Sequence, residues 1–130
     1  MPTFGVRRDP ASADFFDGTA RGELLLVRAR ATGQVLDPKT DTGGDPDAYE
    51  RFPAAGHGTV VSWSVVHGRG PNGEPNRTVV GIVELDEGPW WWTELQADPD
   101  ADLMGAAVQV EFVKSGTGER DETVPIFATQ

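Results

Sequence analysis

The feature of this sequence that most limits its fold is a series of short strand-like segments from residue 58 onward. Apolar and β-branched side chains are grouped into runs bounded by turn residues, at residues 58–67, 78–85, 90–95, 107–113 and 123–127. The chain has 16 Gly and 10 Pro, a composition that favours many turns between short elements over long helices. Between the second and third runs, Asp-Glu-Gly-Pro at residues 86–89 predicts a tight hairpin turn. Five strands with this spacing predict a mainly β protein, a small Greek-key barrel of the OB type.

A short helix is predicted before the barrel. Asp9 and Pro10 suit its N-cap and first position, and Gly18 suits its exit. Phe15 and Phe16 make this segment too apolar for a solvated helix of about two turns. At least one of the two rings must therefore pack on something, either the domain's own core or a partner.

Between this helix and the barrel, the sequence predicts a hairpin followed by a loop. Residues 22–31 form a strand candidate, residues 32–33 a turn and residues 34–36 a short return strand. Residues 39–50 contain almost no apolar side chains and predict a long mobile loop. We expect three parts, a helical arm (1–21), a hairpin with its loop (22–55) and the barrel (56–130).

The negative charge of the chain argues against nucleic acid as a partner. The 130 residues, about one domain in length, carry a net charge of -10, and affinity for nucleic acid comes mainly from neutralising phosphates with Lys and Arg. The charge is uneven, with a net +1 over residues 1–39 and a net -11 over residues 40–130. An anionic ligand such as a coenzyme A phosphate would meet less repulsion at the N-terminal third.

The chain contains no cysteine, which excludes disulfides and thiolate metal sites. The first residues are not followed by the apolar run of a signal peptide, and no stretch approaches the length of a membrane span. The sequence therefore predicts a soluble, cytoplasmic protein that binds neither nucleic acid nor membrane.

Few side chains suit catalysis. Ser62 and Ser64 precede His67 on one strand, but residues 62 and 64 share a face while residue 67 falls on the other, and no nucleophile-elbow glycines surround either serine. His57 lies between two glycines and is therefore interpreted as a loop residue. We therefore predict no catalytic residue.

Acidic clusters offer a second kind of candidate. The pair at residues 86–87 and the three carboxylates of Asp98, Asp100 and Asp102 are open to interpretation as acid/base groups or calcium ligands. The second cluster lacks the glycine and the distal glutamate of a calcium loop, so both are interpreted as solvated turns.

The consecutive residues Trp90, Trp91 and Trp92 are the most unusual feature. Consecutive strand residues point to opposite faces, so at least one ring must face outward or into a groove, and Trp63 on a neighbouring strand can join either side. The outer face is either covered by the N-terminal helix or the hairpin, or it forms a patch for an acyl chain, an adenine or a protein. The basic residues expected near this patch are Arg69 and Arg77, which flank the long loop before the second strand candidate, at residues 78–85.

The order of these segments resembles the DUF35 family of zinc-ribbon and OB-fold proteins. Six pieces match in order: DFFDG (14–18), GELLLVR (22–28), GTVVSWSVVH (58–67), VELDEG (83–88), LMGAAVQV (103–110) and PIF (125–127). The family typically has a Cys-x-x-Cys-Gly knuckle, which aligns with residues 29–33 here, and a second cysteine pair, which would fall near residues 40–44. All four thiolates are missing, so the resemblance implies a degenerate, metal-free ribbon with no cofactor.

Similarity to this family implies a role beside acyl-CoA chemistry. Its members resemble accessory subunits of thiolases, thiolase-like aldolases, acyl-CoA hydratases and hydroxymethylglutaryl-CoA synthase-like enzymes, which they help assemble or supply with a CoA thioester. The expected function is a non-catalytic partner subunit of such an enzyme, in lipid metabolism. The alternative is a stand-alone acyl-CoA carrier or sensor, which would purify as a monomer with measurable CoA affinity, whereas a partner subunit would self-associate through its apolar patch.

The first prediction is that the protein binds no structural zinc, because residues without a thiol occupy all four expected cysteine positions. Elemental analysis of protein purified without chelator tests this. One equivalent of zinc per chain would show that histidines and carboxylates have rebuilt the site.

Overall fold

A computed structural model describes residues 12–36, 38, 40, 42–115 and 121–129, and in these ranges the chain forms one helix and eight strands. In chain order they are α1 (Ala13–Ala20), β1 (Leu25–Ala29), β2 (Val35–Leu36), β3 (Tyr49–Pro53), β4 (His57–Arg69), β5 (Pro75–Leu85), β6 (Trp90–Gln96), β7 (Ala107–Lys114) and β8 (Thr123–Thr129).

Strands β4 to β8 close into a five-stranded barrel with the order β4-β5-β6-β8-β7. Every neighbouring pair is antiparallel except β6 and β8, which run parallel with Leu95 opposite Phe127. The connection from β6 to β7 passes over β8, which lies between these two strands and pairs with both, and this gives the barrel the Greek-key order of an OB-fold. The predicted fold is confirmed, and each of the five predicted segments lies within one barrel strand.

Alternation of side chains builds the barrel interior. Val83 on β5 and Leu95 on β6 are buried. On each of these strands the buried positions alternate with more exposed positions, whose side chains point away from the core. On β4 the register shifts between Val60 and Ser62, as a β-bulge does. The extra residue moves the core-facing positions from even to odd numbers, so that the half-buried Trp63 follows Val60 on the inner side.

A second sheet precedes the barrel, with the strand order β2-β1-β3. The predicted hairpin is confirmed, because β1 pairs with β2 through Val27 and Leu36. The predicted loop at residues 39–50 is wrong at its end, since Tyr49 and Glu50 begin β3, which pairs with the whole of β1. Pairing with a distant strand overrides the weak local preference of this polar segment.

Helix α1 is displaced from its predicted position. The predicted N-cap Asp9 and the predicted first helical residue Pro10 lie outside the described residues, and the predicted exit at Gly18 is wrong because the helix continues to Ala20. A Cβ on Gly18 would lie 2.7 Å from Cγ of Leu25, so glycine here lets the helix approach β1 closely. The chain instead leaves the helix at Gly22, whose φ of 78° is accessible to glycine without strain.

One continuous hydrophobic core connects the helix, the small sheet and the barrel. Phe15 and Phe16 of α1, Leu26 of β1 and Phe127 of β8 are all buried in the same cluster. The Thr19 hydroxyl adds a hydrogen bond to the carbonyl oxygen of Thr123, 2.6 Å away. The three predicted parts of the chain therefore meet in a shared interior. The helix has eight residues, and no helix in the described ranges is long and apolar enough to cross a membrane.

The second prediction concerns Gly81, which lies opposite Trp63 in the β4–β5 pair. A Cβ there would lie 2.5 Å from the carbonyl oxygen of Ser62 and 2.8 Å from Cδ1 of Leu95. We expect Gly81→Ala to lower the free energy of unfolding by about 1–3 kcal/mol, the usual effect of overpacking. Urea denaturation measures the change.

The control is Gly68→Ala on the same hairpin, where the nearest heavy atom to an added Cβ is Oδ1 of Asn76 at 3.9 Å. This variant should change stability by less than about 0.5 kcal/mol. Equal effects of the two substitutions would show that the barrel wall at Gly81 yields without cost.

Candidate functional site

The three consecutive tryptophans of β6 divide between the two sides of the barrel wall. Trp91 is 8% exposed and lies in the core, whereas Trp90 and Trp92 are 59% and 64% exposed. The predicted alternation of these rings is confirmed. Of the two interpretations offered for the outer face, a cover formed by the helix or hairpin does not fit, because both outer indoles remain accessible to solvent.

The strand register shows what surrounds the two outer indoles. Trp92 lies opposite Ile82, and Trp90 lies opposite Glu84. We name the outward-facing residues of this part of the sheet the tryptophan face: Ser62, Ser64, Val80, Ile82, Glu84, Trp90, Trp92 and Glu94. Six of its residues lie on the second and third barrel strands, through which many OB-folds bind extended ligands, and the two serines lie on the first barrel strand.

This face combines an apolar centre with acidic ends. Ile82 and Val80 continue the apolar surface of the indoles onto β5, where both are half-buried. Glu94 lies opposite Val80 at one end, and Glu84 lies beside Trp90 at the other. Opposite residues in an antiparallel pair have Cβ atoms about 5 Å apart. A molecule bound against the indoles would therefore also lie close to these two carboxylates.

Phe15 and Phe16 lie away from the tryptophan face. They are 8% and 7% exposed, with ring centroids 5.1 Å apart, and the Phe15 ring lies 5.7 Å from that of Trp91. Of the two interpretations offered by the sequence, packing in the domain's own core fits the structure. The exposed side chains of α1 are instead polar or small, such as Asp14 and Asp17.

Trp63, Arg69 and Arg77 also lie apart from the two outer indoles. Trp63 is half-buried against the core. Arg69 and Arg77 lie near the tip of the β4–β5 hairpin, at strand positions that alternate with those of the tryptophan face. Arg69 donates a hydrogen bond to the carbonyl oxygen of Gly73, 2.9 Å away.

Arg77 forms an ion pair with Asp100, with Nη1 2.7 Å from Oδ1. The hydrogen bond between them, helped by their opposite charges, holds the pKa of Asp100 below its usual range and raises the pKa of Arg77. Both predicted arginines thus have partners within the chain, and the structure does not bring them to the tryptophan face.

The serine and histidine side chains of β4 are separated as the sequence predicted. Ser62 and Ser64 lie opposite Ile82 and Val80 on the outer side, while His67 lies opposite Arg77 at an alternate position. The strand geometry thus separates the candidate nucleophiles from the candidate base.

The acidic turn after β6 uses its carboxylates locally. Oδ1 of Asp98 accepts a hydrogen bond from the backbone N–H of Asp100 at 2.9 Å, and Oδ1 of Asp102 accepts one from Met104 at 3.0 Å. In the β5–β6 turn, a carboxylate oxygen of Glu87 accepts from the N–H of Ala55 at 2.7 Å. Within the ranges that the structure describes, no three His, Asp or Glu side chains converge to hold a metal ion.

A cluster of charged side chains lies beside residues 29–33, where the resemblance places the zinc knuckle. Nη1 of Arg28 lies 2.8 Å and Nη1 of Arg30 3.1 Å from the two carboxylate oxygens of Glu50, and Nε of Arg30 donates to the carbonyl oxygen of Pro46 at 2.9 Å. The hydrogen bond from Arg28, with the charges of both arginines, lowers the pKa of Glu50. The guanidinium of Arg28 also lies 4.1 Å from the centre of the Phe52 ring.

This cluster, which we name the arginine clasp (Arg28, Arg30 and Glu50), joins β1 to β3. Sequence reasoning missed it, although one signal was present. Arg28 and Arg30 occupy alternate positions of the strand predicted at residues 22–31, and such positions share a face. The open clefts beside the clasp are lined by charged residues of both signs, such as Asp14 and Arg51, unlike the mainly apolar pockets that bind small molecules.

Comparisons with known proteins agree with this architecture. Residues 52–113 match the family model described as "ChsH2, C-terminal OB-fold domain". A solved structure described as "Ltp2-ChsH2(DUF35) aldolase" aligns with a TM-score of 0.73 and 23% identity, covering 99% of this chain and 98% of that chain. A DUF35-family protein of unknown function from Sulfolobus solfataricus aligns with a TM-score of 0.53 and 12% identity, covering 78% and 77%. No curated protein sequence matches the chain.

The third prediction is that alanine substitutions of the three tryptophans of β6 have unequal effects. Trp91→Ala removes a core ring that contacts Phe15 and should lower the free energy of unfolding by about 3–5 kcal/mol. Trp90→Ala and Trp92→Ala remove exposed rings and should each change it by less than about 1 kcal/mol. Chemical denaturation of the three variants tests this, and equal losses would mean that both faces are buried.

Proposed function

Because residues 52–113 match the family model of ChsH2 C-terminal OB-fold domains, which supports the DUF35 resemblance, we propose that this chain is a non-catalytic accessory subunit of an acyl-CoA enzyme. The enzyme class is a thiolase, a thiolase-like aldolase or a hydratase. The subunit helps to assemble that enzyme or to position its CoA thioester.

The observation that carries this proposal is the tryptophan face. Two indoles on one rigid sheet are more than half exposed, and aromatic side chains of this kind are enriched at the centres of protein interfaces. A sheet holds its side chains in fixed directions, so the face is pre-organised for a partner and loses little conformational freedom on binding.

The likeness to the Ltp2-ChsH2(DUF35) aldolase supports the same role. That aldolase contains two proteins, Ltp2 and the DUF35 protein ChsH2. Its alignment extends along nearly the whole of this chain, and therefore includes α1 and the small sheet as well as the barrel. An aldolase that acts on acyl-CoA compounds is thus the first partner to test.

The chemistry of the described residues favours a supporting role over turnover. The strand geometry separates Ser62 and Ser64 from His67, and the carboxylates of the acidic turn bond to backbone N–H groups or to Arg77. A nucleophile needs a base within hydrogen-bond reach, and this arrangement does not supply one.

The fourth prediction tests the accessory role. The full chain is co-expressed with the thiolase-like and other acyl-CoA enzymes of its own genome, and the products are separated by size-exclusion chromatography. We expect one of these enzymes to co-elute with the chain and to lose stability or activity when the chain is omitted.

The contrary result is separate elution, with every enzyme equally stable and active alone. In that case the accessory role is wrong, and titration of the isolated chain with CoA thioesters would test the carrier or sensor role instead. A complex that forms with a His67→Ala variant and retains full activity would support the absence of a catalytic role for His67, which lies outside the tryptophan face.

A further inference from the structure

We propose that the side chain of Arg30 performs in this chain the cross-linking that a zinc ion performs in the ribbon of the resembled family. It ties the β1–β2 hairpin to the turn that leads into β3 and orders that turn without a metal. This inference goes beyond the proposed accessory role and does not depend on it, because it concerns how the small sheet is held together.

The residues at the two expected knuckle positions do not fit a zinc ion. A structural zinc site takes four ligands, drawn from thiolates, imidazoles and carboxylates. Residues 29–33 (ARATG) and 40–44 (TDTGG) together offer one carboxylate and neither a thiol nor an imidazole. The hydroxyls of Thr32 and Thr42 each accept a hydrogen bond from the backbone N–H two residues further on, at 3.2 and 3.4 Å. A metal cross-link therefore lacks its set of donors here.

Arg30 lies in the first of these stretches and bonds to three residues that follow the second. Its backbone N–H donates to the carbonyl oxygen of Ala48 at 2.9 Å, and its Nε donates to the carbonyl oxygen of Pro46, also at 2.9 Å. Its Nη1 lies 3.1 Å from Oε2 of Glu50. One residue thus spans the same two segments that the metal and two cysteine pairs would join.

The turn that Arg30 contacts is closed by its own hydrogen bonds. Oδ1 of Asp45 accepts from the N–H of Asp47 at 2.9 Å and from that of Ala48 at 3.2 Å. The N–H of Tyr49 donates to the carbonyl oxygen of Asp45 at 3.2 Å. Aspartate commonly closes turns in this way. Arg30 therefore fastens a turn that has a defined shape, so little further conformational freedom is lost.

The side-chain bonds require an arginine. The backbone bond to Ala48 continues the β1–β3 pairing by one residue pair, and any residue except proline would make it. The guanidinium is planar, and its Nε and Nη donors point in fixed directions, so it can bond a carbonyl oxygen and a carboxylate together. The ammonium of a lysine is a single point of charge and does not match two such acceptors.

Arg28 has a different task in the arginine clasp. It lies opposite Glu50 in the strand register, and its Nη1 lies 2.8 Å from Oε1 of that carboxylate. Its guanidinium also packs on the Phe52 ring. Arg28 therefore fixes the carboxylate from one side, while Arg30 connects the other side of it to the turn.

This cross-link acts on local order more than on the stability of the whole chain. The side chains of Arg30 and Glu50 are 49% and 32% exposed, and ion pairs so close to water contribute little to global stability. Local opening of a turn is a separate event from global unfolding. A zinc site loses its order when a chelator removes the metal, whereas a bond between side chain and backbone does not.

The fifth prediction is that Arg30→Lys, which keeps the charge, loosens the turn at residues 45–49. Hydrogen exchange of the amides of Asp47, Ala48 and Tyr49 is followed by NMR in the full chain. We expect these amides to exchange about fivefold faster in the variant, as the loss of one net hydrogen bond would give. The urea midpoint should stay nearly unchanged, because the buried residues of the small sheet are intact.

The matched control is Arg28→Lys on the same strand, which also keeps the charge and changes only the other arm of the clasp. It should leave the exchange of the three amides unchanged. Excess EDTA or one equivalent of zinc sulfate, added to the unmodified chain, should also have no effect on their exchange.

Three results would overturn the proposal. Equal exchange in Arg30→Lys and the unmodified chain would show that the turn is ordered by its own hydrogen bonds alone. Equal acceleration by Arg28→Lys would assign the effect to the charge on Glu50 and not to the bridge that Arg30 makes. Faster exchange in EDTA would show that a metal orders the turn. Each of these results would leave the proposed accessory role untouched, since none concerns the binding of an enzyme.

Discussion

The packing of Phe15 against Trp91 determines how the parts of this molecule are arranged. Trp91 points inward from the barrel wall, and the centre of its ring lies 5.7 Å from that of Phe15, which belongs to α1. Because α1 also approaches β1 closely at Gly18, the same contact places the small sheet beside the barrel. It also leaves the opposite side of β6 uncovered, since consecutive residues of a strand point to opposite faces.

The small sheet shows how the shared core replaces a local stabilising device. In the family that this chain resembles, a zinc knuckle is expected at this place, whereas here the arginine clasp joins β1 to β3. Exposed ion pairs contribute little stability in water, so the clasp favours this register between β1 and β3 but adds little to the free energy of unfolding. Leu24, Leu26 and Val27 are almost fully buried, and their burial is the larger contribution to stability.

The barrel could be predicted because its signals are local. Each of its strands is a run of β-branched and aromatic residues bounded by turns, and the Asp-Glu-Gly-Pro turn joins two of them as expected. Strand β3 could not be predicted from the sequence, because Tyr49 and Phe52 are its only large apolar residues and its formation depends on pairing with a distant strand. Gly18 misled for a related reason, because its role is close packing against Leu25 and not the end of a helix.

The same distinction applies to the candidate site. Alternation of the tryptophans follows from strand geometry alone, but which ring faces inward depends on the pairing of β5 with β6. The expectation that Arg69 and Arg77 lie near the outer indoles used only their proximity in sequence. Their strand positions place them on the alternate side. Closeness along the chain is a weak guide in a sheet, where neighbours lie across strands.

Two exposed indoles on the outer wall of the barrel would normally favour self-association of the chain. The acidic residues at both ends of the tryptophan face, with the net charge of -10, oppose contact between identical chains. The same charges do not oppose a basic surface and accelerate its approach. A partner that docked on this face would therefore have to offer apolar surface to the indoles without adding negative charge beside Glu84.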